Sequence, residues 1–123
     1  MGTRKETLLA RLGAKPGVTQ APAPTPLGRA PPAIIYKVMG KVFAIVSLSK
    51  SDYMIVKCDP DLATVLKETY SGVGHRSHLD KRYWISVTLD ADVPVAEINR
   101  LVDQSYDLVC KALTRKQRAE LGR

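Results

Sequence analysis

Two runs rich in isoleucine and valine, Ala33–Val38 and Val42–Leu48, are separated only by Met39-Gly40-Lys41. Three residues cannot carry a chain to a parallel neighbour, which needs a crossover of about a dozen or more. The pair has to be an antiparallel hairpin, and that requirement organises everything downstream of it. The second run is apolar at nearly every position, the pattern of a central strand covered on both faces. After a polar turn, Ser49-Lys50-Ser51-Asp52, the segment Tyr53–Lys57 reads as a third strand. A further strand spans Tyr83–Leu89, where Ile85, Val87 and Leu89 share one face and Trp84, Ser86 and Thr88 the other.

Helices punctuate these strands. Thr3 and Glu6 stand at capping-box spacing before Leu8, Leu9 and Leu12, which predicts a helix over Thr3–Gly13. Asp59-Pro60 opens a second helix, with Asp59 as cap, Pro60 in the first turn, and Leu62, Val65 and Leu66 as its apolar face. A last helix begins at Pro94, and its positions Ile98, Leu101, Val102, Ser105, Val109, Ala112 and Leu113 keep helical spacing. Six of the eight prolines lie in Ala14–Pro32, barring helices and central strands there. That segment reads as an extended surface connector, more mobile than the rest. The fold class expected is α+β, an antiparallel sheet with helices mainly on one face. It forms a single domain over 1–123: an N-terminal helix at 1–13, the Pro-rich connector at 14–32, the core at 33–113 and a basic tail at 114–123.

At 123 residues, 45% of them hydrophobic, the chain can bury a core without disulfides. Its longest apolar runs are too short to span a bilayer, and the N-terminus lacks the apolar stretch of a secretory signal. A cytoplasmic location is expected. Cys58 and Cys110 have no CxxC spacing and read as buried apolar fillers. The formal charge is +7 and the pI about 9.6, which directs attention to polyanionic partners.

Four phrases, in this order, carry a family resemblance: Val38-Met39-Gly40-Lys41-Val42-Phe43-Ala44; Lys57-Cys58-Asp59-Pro60-Asp61-Leu62-Ala63; His78-Leu79-Asp80-Lys81-Arg82-Tyr83-Trp84-Ile85-Ser86-Val87; and Val93-Pro94 with Ser105-Tyr106-Asp107-Leu108-Val109. Together they resemble the MmcQ/YjbR family from about Ala33 onward. The resemblance implies a fold like that of frataxin (CyaY) and the secretion chaperones, with strand pairs described as a double wing. It also implies DNA binding. Asp80 departs from the Asn common in the family and sets a carboxylate beside Lys81 and Arg82. Frataxin relatives hold iron through acidic ridges, and this basic chain carries no acidic run to match.

The densest functional signal runs from His75 and Arg76 through His78, Lys81, Arg82, Tyr83 and Trp84, where cations interleave with aromatics. Such a mix grips phosphates and stacks on bases. Trp84 could equally lie under a loop or helix end. The C-terminal cations Lys111, Arg115, Lys116, Arg118 and Arg123 form a second cluster, whose plainer reading is a solvated helix end. If the tail folds back toward Lys81 and Arg82, the two become one phosphate-binding surface. His75 and His78, three apart on an extended chain, point to opposite faces, so no metal site is expected. No nucleophile elbow or phosphate loop is present, and Asp59 and Asp61 are explained by the helix start they precede. The expectation is therefore a binding protein without cofactor or catalysis. Nucleic acid, DNA first, is the leading partner, and a peptide-holding adaptor like the secretion chaperones is the alternative.

Overall fold

The computed structural model describes residues 4–22, 33–47, 52–76 and 79–122. In chain order these form α1 (Arg4–Gly13), β1 (Val18–Pro22), β2 (Ala33–Val38), β3 (Lys41–Ser47), β4 (Tyr53–Lys57), α2 (Pro60–Thr69), β5 (Val73–Gly74), β6 (Trp84–Thr88), α3 (Val95–Lys111) and α4 (Arg115–Leu121). The strands make one six-stranded sheet in the order β1-β2-β3-β4-β6-β5, antiparallel at every pairing. No described helix is long and apolar enough to cross a membrane.

Register explains the layering. Tyr36, Ala44, Val56 and Ile85 stand in one row across the sheet, and Ile34, Val46, Met54 and Val87 in the next. These two rows face the helices. Apart from Ile34, which is partly buried, they are buried in one cluster with Leu8 and Leu12 of α1, Ala63 and Leu66 of α2, and Ile98, Leu101, Val102 and Tyr106 of α3. The alternate rows, Ala33-Ser47-Tyr53-Thr88 and Ile35-Ile45-Ile55-Ser86, lie on the other face. Ile35, Ile45 and Ile55 are outside the core cluster, and Ile35 and Ile45 are partly exposed. The helices thus cover one face, as expected. β3 is central: its apolar run serves the core on one side, and on the other Ile45 is partly exposed while Ser47 is buried.

A bulge refines the hairpin. Tyr36 pairs with Ala44 but Lys37 with Val42, so Phe43 is the extra residue. Its ring enters the core edge-on to Tyr36 and Tyr106, at centroid distances of 6.4 and 5.4 Å. Such pairs add about 0.5–1.5 kcal/mol beyond area burial. Beside the bulge, Ser105 of α3 inserts its hydroxyl between strands, donating to Phe43 O at 2.6 Å and accepting from Lys57 N at 2.8 Å. Its place on the apolar face of α3 is thereby explained. Lys41 belongs to β3, leaving a two-residue turn in which Met39 and Gly40 both have positive φ, 50° and 81°, the hairpin geometry that suits strand twist.

Several expectations need correction. The Pro-rich connector is not irregular throughout: Val18–Pro22 pairs with β2 as an edge strand, the one sheet position that tolerates proline. Its approach is pinned, since Tyr106 Oη donates to Pro16 O at 2.5 Å and Asp103 holds both Arg11 and Lys15. The remaining connector, 23–32, lies outside the described residues, as do Thr3 and Leu48. Residues 114–123 are not simply a tail. Thr114 and Gln117 form a capping box that starts α4, an S/T-x-x-Q signal visible in the sequence. On α2 the cap is Asp59, whose Oδ2 accepts from Asp61 N and Leu62 N. The buried positions are Ala63 and Leu66, while Val65 is exposed. Gly74 pairs with Ser86 in the short β5, a strand not expected from the sequence.

Candidate nucleic-acid interface

The antiparallel order brings the C-terminal ends of β2 and β4 and the N-terminal ends of β3 and β6 to one end of the sheet. Lys41 Nζ donates to Ala112 O at 3.3 Å, placing the end of α3 there too. Lys41, Lys57, Lys81, Arg82 and Lys111 therefore gather from separate segments, and α4 adds the exposed Arg115, Lys116 and Arg118. None of the described strands contains an Asp or Glu; their charges are all lysines.

Residues Asp80–Trp84 are shaped by a carboxylate. Asp80 O accepts from Tyr83 N and Trp84 N, both at 3.0 Å, while Asp80 Oδ1 accepts from Arg82 N at 2.9 Å. The Arg82 guanidinium closes on the same carboxylate at 2.8 Å. These side-chain and backbone hydrogen bonds from Arg82 hold the Asp80 pKa down to about 2. Arg82 also lies 5.4 Å from the Tyr83 ring centroid. Its charge is thus partly spent locally, whereas the neighbouring Lys81 is exposed and its carbonyl accepts from Lys67 of α2 at 3.5 Å.

Tyr83 and Trp84 line a cleft of about 350 Å³ with Lys57, Asp59, Pro60 and Leu108. Tyr83 is 41% exposed and Trp84 partly exposed. Cys58, also on the cleft wall, is buried, and burial pushes its thiol up to about 11, which keeps it protonated near neutral pH. Cys110 is buried as well. A second, shallower cleft of about 390 Å³ lies among Asp107, Cys110, Lys111 and Arg118.

The residues singled out from sequence divide accordingly. Tyr83 and Trp84 line the first cleft, and Lys81 and Arg82 immediately precede them in the chain. Arg115, Lys116 and Arg118 lie on α4, whose Leu121 packs against Gly17 and whose Arg118 lines the second cleft. From β2 to β6 is three strand spacings, about 14 Å, and Lys41 of β3 and Lys57 of β4 belong to the strands between them. Arg76 lies elsewhere, on the open face, 4.7 Å from the Tyr53 ring centroid and donating to Thr88 Oγ1 at 3.3 Å. His78 is outside the described residues. His75 is a loop tie, with Nε2 2.6 Å from Leu79 O. Ser86, on the same strand face as Trp84, is only 2% exposed and pairs with Ile55 and Gly74 on the neighbouring strands. Lys41, Lys57 and Tyr53 were missed. The signal available was that every strand-borne charge is a lysine. Among the described residues no three His, Cys, Asp or Glu side chains cluster as metal ligands.

An α+β fold with its helices packed on one face of an antiparallel sheet, and with lysines as the only strand-borne charges among the described residues, defines the class. The YjbR family model matches residues 13–108, and the chain belongs to the YjbR family. It is 34% identical over 83 residues to the uncharacterized protein YjbR of Escherichia coli K12, covering 67% of this chain and 70% of that one. It is 28% identical over 75 residues to the uncharacterized protein YyaQ of Bacillus subtilis, covering 61% and 63%. The crystal structure of Deinococcus radiodurans protein DR2400, a DUF419 domain, superposes with a TM-score of 0.83 at 25% identity, over 99% of this chain and 92% of that one. A Pseudomonas syringae protein shares the fold at a TM-score of 0.65 and 20% identity, over 88% and 98%.

Proposed function

We propose that this chain is a non-enzymatic, cytoplasmic nucleic-acid-binding protein that grips mainly the phosphate backbone, with DNA as its first candidate partner. The observation that carries the reading is the gathering of cations from several segments at one end of the sheet: Lys57 lines a cleft walled by two aromatic rings, and Lys111 and Arg118 line a second cleft. Lys81, Lys57, Lys111, Arg115, Lys116 and Arg118 neutralise phosphates. Arg82 contributes less, because Asp80 competes for it. Binding of this kind weakens linearly in log–log salt, with a slope of about −0.9 per phosphate on duplex and about −0.7 on single strands. A mobility-shift titration at two salt concentrations tests it. Steep weakening is expected, and no binding at low salt to duplex or single strand overturns it.

One observation favours a second reading, a peptide-holding adaptor: Ile35 and Ile45, in one row with the buried Ile55, are partly exposed on the sheet face opposite the helices. Binding there would depend little on salt, so the same titration separates the two.

A further inference from the structure

We infer that the cleft beside Trp84 is a slot for one unpaired nucleobase, making single-stranded nucleic acid the preferred ligand. The inference rests on the nucleic-acid reading and narrows its substrate class. Four elements build the walls: Tyr83 and Trp84 at the start of β6, Lys57 at the end of β4, Asp59 and Pro60 at the start of α2, and Leu108 of α3. About 350 Å³ falls within the range of small-ligand sites, roughly 300–1,000 Å³.

The wall chemistry selects the occupant. Two partly exposed aromatic rings with Pro60 and Leu108 suit a flat group with a π-face. Lys57 and Asp59 supply a cation and a carboxylate to the same cleft, and a base edge carries both acceptors and donors to meet them. Asp59 spends Oδ2 on the helix cap, while Oδ1 makes no hydrogen bond among the described residues. A bare phosphate is disfavoured inside, because the carboxylate repels it. The phosphate of the inserted nucleotide stays outside, next to Lys81 and Arg82. A base within a duplex is paired and stacked on both faces, and cannot enter without being extruded.

Trp84 is the chain's only tryptophan, so its fluorescence reports the slot directly. An oligodeoxycytidylate and an abasic strand of equal length carry the same phosphates and differ only in bases. The expected result is quenching of Trp84 by the oligodeoxycytidylate, which binds about 5- to 150-fold tighter than the abasic strand at equal salt. Trp84→Leu should reduce that advantage, with Tyr83→Ala as the companion variant if Trp84→Leu fails to fold. Asp59→Asn keeps a good cap and tests the carboxylate. Equal, salt-dependent affinity for both strands, with Trp84 emission unchanged, overturns the slot and leaves the phosphate reading standing. Failure of both strands to bind at low salt overturns the two together.

Discussion

Ser105→Ala isolates the link between α3 and the sheet. The residue is fully buried, and its hydroxyl bridges Phe43 O and Lys57 N just where the regular β3–β4 pairing stops at Ala44↔Val56. Alanine fills nearly the same space but leaves one backbone acceptor and one backbone donor without a partner. Each such group costs about 1–3 kcal/mol when buried. The donor, on Lys57, is only partly buried, so the lower half of the combined range applies, about 2–4 kcal/mol. For 123 residues, a typical total stability is about 6–18 kcal/mol, so the loss is a sizeable fraction. Urea titration should show a lower midpoint with an unchanged slope, the sign that stability changed and the denatured state did not. Amide exchange at Lys57 should accelerate selectively. A loss below about 0.5 kcal/mol, with the Lys57 amide still protected, would refute the reasoning. Lys57 N would then have closed onto Phe43 O without help.

Three further outcomes are expected. Gly17 has φ +73°, and a Cβ there would fall 2.1 Å from Leu121 Cδ1; Gly17→Ala should cost about 1–3 kcal/mol in a denaturant titration and loosen α4, whereas unchanged stability would show that the contact is dispensable. Asp80→Asn should release Arg82 and raise polyanion affinity, steepening the salt slope by about one, and an unchanged slope would place Arg82 outside the interface. In the wild type the Asp80 pKa is lowered to about 2 from about 3.9 in the unfolded chain. The Asp80–Arg82 contribution is therefore present above about pH 4 and disappears as pH falls through about 2; NMR titration of Asp80 with and without Arg82→Ala checks the sign. Cys58, with its thiol pushed up to about 11, should resist thiol reagents at pH 8 until the protein unfolds, and rapid labelling of the native protein would contradict its burial.

Local signals were enough for most of the architecture. A gap of three residues, Met39-Gly40-Lys41, between Ile- and Val-rich runs admits only an antiparallel pair, and the period-2 pattern of Trp84–Leu89 sets which residues face the core. Asp59-Pro60 announces α2 because cap and first-turn chemistry are written in adjacent residues. The β1 strand and α4 were harder to see. Proline density in Ala14–Pro32 masks an edge strand whose partner, β2, is more than ten residues away. The basic composition of Arg115–Leu121 draws attention away from the Thr114–Gln117 capping box.

The site shows the same division more sharply. That Lys81, Arg82, Tyr83 and Trp84 stand together is a property of the chain, since they are consecutive. That Arg82 is held by Asp80 while Lys81 is exposed depends on the geometry of one turn. The company of Lys57, Asp59 and Leu108 is decided by tertiary structure alone, because β4, α2 and α3 reach the cleft from different parts of the sequence. The same holds for the separation of Arg76 from Lys81: six residues of chain divide into two ends of β6 once Arg76 turns back over Tyr53. Sequence determined which groups were cationic, aromatic or apolar, because those properties belong to single residues. Which of them share a surface was decided by strand register and helix docking, because proximity in space comes from long-range pairing.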